Sequence, residues 1–107
     1  MKYDNTNVLT QDMIKKAIYK ILSKDDFYNI TKIVLFGSYS RNEAEVNSDI
    51  DLVVYDSPEF KGMKVYSFIG ELKEELHKDI DLFVDRNIVK NSLFYKNILR
   101  DGVVVYG

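Results

Sequence analysis

Residues 33–54, IVLFGSYSRNEAEVNSDIDLVV, decide how this chain is read. An apolar run rich in β-branched and aromatic residues stops at Gly37-Ser38, a polar segment follows, and a second apolar run begins at Ile50 with Asp49 and Asp51 flanking its first residue. Side chains two apart on a strand share a face, so these two carboxylates project together while Ile50 and Leu52 point the other way. Carboxylates held this close repel, and the pairing makes sense around a divalent cation. Magnesium suits such a pair, because it takes hard oxygen ligands and leaves its other positions to water and phosphate. Gly37 and Ser38 lie where a strand hands over to a following turn or helix start, where backbone N–H groups approach a phosphate without a side chain in the way. Arg41 has two open readings, as a phosphate contact and as a surface ion pair with Glu43 or Glu45.

Around this stretch the chain alternates helical and extended patterns. Apolar positions Met13, Ile14, Ala17, Ile18, Ile21 and Leu22 predict a helix over 11–24 with Thr10 as N-cap. Strands are predicted over 30–36 and 50–55, with a short helix or helical turn over 38–45 between them. A second helix is expected over 61–77, with Gly70 as its weak point, and a third strand over 79–84. A last helix carries Leu93, Phe94, Ile98 and Leu99, with Asn91 as its candidate cap and Gly102 as a left-handed stop. Residues 103–106 form the final strand. The order predicts a single α/β (α+β) domain over 1–107, with a small mixed sheet of about four strands packed with helices. The tetrapeptide DIDL occurs at 49–52 and again at 79–82. Only the first copy follows a Gly-Ser turn, so the second reads as similar strand chemistry and not as a repeat.

Composition excludes several classes of function. The 107 residues are 46% hydrophobic and 30% charged, as expected of a folded chain of one domain. No cysteine is present, which removes disulfides, thiolate zinc sites and cysteine nucleophiles. The one histidine, His77, sits in the charged run ELKEELHKD and reads as a solvated helix-end residue. A net charge of −2 with interspersed signs offers no basic track for direct nucleic-acid binding. No run approaches the ~20 apolar residues of a membrane span, and the first ten residues lack a signal-peptide core, so a cytoplasmic protein is expected. Tyr39, beside the turn, reads as core or rim packing ahead of nucleotide contact.

Taken jointly, Gly37, Ser38, Arg41, Ser48, Asp49, Asp51 and Leu52 form the pattern G-S-x-x-R-x6-S-D-x-D-L. This pattern resembles the nucleotidyltransferases of the DNA polymerase β type, most closely their minimal nucleotidyltransferase (MNT) branch. The resemblance implies that Asp49 and Asp51 are catalytic metal ligands and that a third carboxylate on the 79–84 strand joins them. Asp81, flanked by Ile80 and Leu82, is preferred to Asp79. It further implies nucleotide binding by Gly37, Ser38, Arg41 and Ser48, two Mg2+ ions, and ATP as substrate. Many relatives have glycine where this chain has Asn42, which is expected to alter the turn without removing activity.

The resemblance also implies a partner. MNT proteins of HEPN/MNT toxin–antitoxin pairs (type VII) transfer AMP from ATP to a tyrosine of the HEPN-type toxin, and the minimal length of this chain fits that role. Two alternatives stand beside it. One is an antitoxin that acts by non-covalent complex formation, and the other is a nucleotidyltransferase for a small acceptor such as an aminoglycoside. A homo- or hetero-oligomer is expected, because an isolated domain of this kind exposes faces that relatives cover.

Overall fold

The computed structural model describes residues 7–107; the first part of the segment read above for a signal peptide lies outside the described residues. Helix α1 (Gln11–Leu22) begins at Thr10, whose hydroxyl accepts the Met13 N–H at 3.1 Å. It buries Ile14, Ala17, Ile18 and Ile21 and ends two residues before the periodicity predicted. Strands β1 (Lys32–Phe36) and β2 (Ile50–Tyr55) pair antiparallel. Helix α2 (Met63–Leu76) then crosses to β3 (Ile80–Val84), which lies parallel to β2, as a parallel neighbour requires a crossover connection. A 3-10 turn (Asp85–Asn87) leads to α3 (Leu93–Asp101), and β4 (Val103–Tyr106) closes antiparallel against β1.

The sheet order is β3-β2-β1-β4, so the expected small mixed sheet of four strands is present, with three helices around it. One face packs against α1 and α2: Ile33, Leu35, Ile50, Leu52 and Val54 meet Ile14, Ile18, Phe68 and Leu72 in the main core. Side chains this size contribute roughly 1.5–3 kcal/mol each on full burial. The opposite face carries Phe36 and Val53 against Ile98 of α3. That face is only partly covered, since Phe83 and Phe94 remain 38% and 39% exposed. Among the described residues no helix is long and apolar enough to cross a membrane.

Three sequence expectations are corrected locally. Ser92, not Asn91, caps α3, its hydroxyl accepting the Tyr95 N–H at 3.1 Å. Both residue types cap well, so composition alone does not separate neighbours. Gly102 is extended (φ −67, ψ 140), not left-handed. Its missing side chain is needed for packing, because a Cβ there would lie 2.6 Å from the Ile98 carbonyl and 2.7 Å from Val34 Cγ1. The left-handed helix stop occurs instead at His77 (φ 57), which caps α2 and is half-buried where a solvated side chain was expected.

Candidate active site

The segment between β1 and β2 forms turns with no helix, the second of the two forms expected there. Gly37 adopts φ +76, and its carbonyl accepts the N–H groups of Ser40 and Arg41 and the Ser40 hydroxyl at 2.7 Å. The Ser38 carbonyl accepts the Glu43 N–H at 2.9 Å. The chain thus folds back on its carbonyls, while the Ser38 and Tyr39 N–H groups donate to no carbonyl among the described residues. Asn42 takes the left-handed conformation (φ 58) that glycine adopts freely and asparagine tolerates, so the turn accommodates it.

Two contacts hold this turn in place, one from Tyr39, whose packing the sequence anticipated, and one from Gln11, which it did not. Tyr39 is buried in the main core, and its hydroxyl accepts the Leu9 N–H at 3.5 Å. Gln11, in the first turn of α1, donates from Nε2 to the carbonyls of Tyr39 at 3.0 Å and Ser40 at 3.2 Å. Gln11 sits beside an ordinary helix cap, and only its position in space marks it. Ser48 braces the far end of the loop, its hydroxyl accepting the Glu45 N–H at 2.8 Å.

The two DIDL segments are neighbours. In the β2–β3 register Ile50 pairs with Ile80, Asp51 with Asp81 and Leu52 with Leu82. Asp51 and Asp81 therefore project side by side from the sheet face that Phe36 and Val53 occupy, with Asp49 joining from just before β2. The Asp81 charge acts on both Asp49 and Asp51. Asp79 lies at the edge of this group: its side chain is 75% exposed and pairs with Lys73 Nζ at 3.4 Å, while its charge still reaches Asp49, with which it lines a common cleft.

This crowding shows in the titration of the carboxyls. Burial, followed by the charges of Asp81 and Asp49, pushes Asp51 up to about 6, against a smaller downward pull from Arg41. Asp49 is also raised, by burial first and then by the charges of Asp81 and Asp79. The donor set is hard, anionic and mutually repelling, which fits a divalent cation. Among the described residues, however, no three such side chains form a group placed to hold a metal ion. A cation here would draw its remaining ligands from water and a bound phosphate.

Arg41 realises its ion-pair reading: Nε meets Glu43 Oε1 at 2.9 Å and Nη1 meets Asp101 Oδ2 at 3.3 Å. Its field also reaches Asp51. A cleft of about 280 Å³ opens beside Asp49, between the loop before β2 and the end of α2, lined by residues that include Ser48, Asp49, Lys73 and Asp79.

The Gly-Ser turn and the three carboxylates thus lie together at the ends of two parallel strands. Residues 16–107 match the family model described as polymerase beta, nucleotidyltransferase, and the chain belongs to that family. It is therefore a nucleotidyltransferase, of the minimal type in its fold.

Among named relatives, it is similar to a candidate protein adenylyltransferase of Methanocaldococcus jannaschii, 32% identical over 97 residues that cover 89% of this chain and 93% of that one. The Shewanella oneidensis protein adenylyltransferase MntA is 27% identical over 97 residues, 91% of this chain and 68% of that one. A crystal structure of a toxin–antitoxin with AMP-PNP superposes with a TM-score of 0.71 at 27% identity, over 87% of this chain and 73% of that chain.

Proposed function

We propose that this chain transfers AMP from ATP to a hydroxyl of a protein partner, a tyrosine of a HEPN-type toxin, and thereby acts as the antitoxin of the pair. The observation that carries this reading is the pairing of Asp81 with Asp51 across adjacent parallel strands, one residue beyond Asp49's neighbour Ile50, with β2 itself paired to the strand leading into Gly37. The relatives' names, and the AMP-PNP complex among their structures, support the choice of donor and of acceptor class.

In this reading Asp49, Asp51 and Asp81 hold magnesium, which when bound neutralises the triphosphate and favours ionisation of the acceptor hydroxyl. Gly37 contributes an unobstructed backbone approach, and Ser38 donates its N–H and hydroxyl to the triphosphate. Arg41 adds a guanidinium to the same phosphates, and Ser48 keeps the loop before Asp49 in register. The acceptor oxygen bonds to the α-phosphorus as the α–β bridge breaks, pyrophosphate leaves, and the hydroxyl proton passes to solvent. Most of the rate then comes from positioning and charge neutralisation. The reading takes the 107 residues as one catalytic domain that works in the cytoplasm.

The test mixes the chain with ATP, magnesium and the toxin encoded beside it, and follows the toxin's intact mass. Gain of AMP is expected, together with its loss when Asp49 and Asp51 are both replaced by asparagine. A toxin left unmodified by the wild-type chain sinks the reading. Undiminished neutralisation in cells by the double variant would assign the activity to complex formation.

A further inference from the structure

Helix α3 ends on Asp101, an acidic residue at the helix terminus where the macrodipole favours cations. Its side chain is nevertheless only 12% exposed, so a largely covered carboxylate stands where the local electrostatic rule disfavours it. Such violations mark residues kept for a reason other than local stability. Two arginines answer the charge. Arg100 binds it through Nε to Oδ1 and Nη2 to Oδ2, both at 3.0 Å, and Arg41 reaches Oδ2 through Nη1 at 3.3 Å. Arg100 is the next residue on the same helix end and would satisfy the carboxylate alone. The contact with Arg41 joins residues sixty positions apart and ties α3 to the turn that follows Gly37.

The geometry at Arg41 gives that tie a direction. A free arginine on an exposed loop samples many rotamers, and fixing one costs up to ~2 kcal/mol of side-chain entropy. Here Glu43 takes Nε and Asp101 takes Nη1, so two anchors at different points set the guanidinium plane while Nη2 has no ion-pair partner among the described residues. The same charge lies within electrostatic reach of Asp51.

We propose that Asp101 is a positioning residue for the nucleotide site: it holds the Arg41 guanidinium, already oriented, over the place where the triphosphate of the donor nucleotide binds. This rests on the assignment of Arg41 to phosphate given above. The C-terminal helix thereby becomes part of the nucleotide-binding machinery although none of its residues belongs to the Gly-Ser or Asp-x-Asp motifs.

The test is a double-variant cycle on the full chain, using D101N, R41A and the D101N/R41A pair. Affinity for magnesium-AMP-PNP is measured without any acceptor, and KM for ATP and kcat are measured with it. D101N is expected to weaken nucleotide binding and raise KM roughly tenfold, the worth of one charge-assisted hydrogen bond, with kcat changed less than about twofold. In the R41A background D101N should change neither quantity further. Equal losses in both backgrounds, or unchanged nucleotide affinity in D101N, overturn the proposal. If D101N does not fold, D101E, which keeps the charge and moves it by one methylene, is measured in the same two backgrounds; a shift confined to the Arg41 background supports the proposal and an equal shift in both overturns it. A wild-type chain that binds nucleotide but modifies no acceptor overturns the transfer reading alone, whereas one that binds no nucleotide overturns both.

Discussion

Asp51 occupies the space that a side chain on Gly37 would need. A Cβ built on Gly37 would overlap Asp51 Oδ2 and stand 3.1 Å from its Cγ, and Gly37 also holds φ +76. The register of β1 with β2 creates this contact, since Phe36 pairs with Asp51 and the chain turns immediately afterwards. The glycine of the turn and the acid of the second strand are therefore one unit, and two separate sequence motifs describe a single arrangement.

G37A is expected to strain the backbone by ~1–2 kcal/mol and to displace the Asp51 carboxylate. Transfer should fall roughly 10²-fold, as expected when a reacting group is misplaced by about an ångström. Thermal unfolding and initial rates check the two effects separately.

Asp51 predicts a pH signature. Its carboxyl is raised in the folded chain to about 6 from an ordinary 3.8, so between those values the folded state holds a proton that the unfolded state lacks. Stability from this group is present at the acidic end of that window and is lost as pH rises through about 6. D51N removes the charge, so its Tm advantage over the wild type should grow between pH 4.5 and 7.5. Solvent screening of a half-exposed group limits the effect to ~0.5–1 kcal/mol, or roughly 2–6 °C. Magnesium added at pH 7.5 should raise the Tm of the wild type and leave D51N little changed. Differential scanning calorimetry of both chains at pH 4.5, at pH 7.5 and at pH 7.5 with magnesium reads these differences.

The pair Asp79 and Asp81 separates sharply by position. Asp81 stands beside Asp51 in the β2–β3 register and its charge reaches both Asp49 and Asp51, while Asp79, bound to Lys73, reaches Asp49 alone. D81N should lower transfer ~10²–10³-fold, and D79N less than about threefold. Rates measured at saturating ATP decide between them; comparable losses would remove the distinction.

At the start of α3 the cap is Ser92. S92A is expected to cost ~1 kcal/mol, or roughly 4–8 °C in Tm, and N91A less than about 0.5 kcal/mol. Chemical denaturation of the two variants tests this assignment.

The linear sequence by itself carried the local chemistry. Period-3.6 and extended apolar patterns marked the helices and strands, because each element must bury a stripe or a face. Asp49 and Asp51 were legible as a pair because strand periodicity puts both on one side whatever surrounds them. Local pattern also supplied Thr10 as a cap, whereas it misplaced the cap of α3, where two good capping residues stand together, and misread Gly102, whose small size serves a contact with Val34 and Ile98.

Only the tertiary structure decided which distant groups meet. The parallel register of β2 with β3 sets Asp81 beside Asp51, and the antiparallel register of β1 with β2 lays Asp51 over Gly37. Gln11 reaches the site turn from α1, and Asp101 reaches Arg41 from α3. Periodicity constrains what a residue shares with its near neighbours along the chain. Strand order and register bring together residues thirty and sixty positions apart, and these follow from packing the whole sheet against its helices.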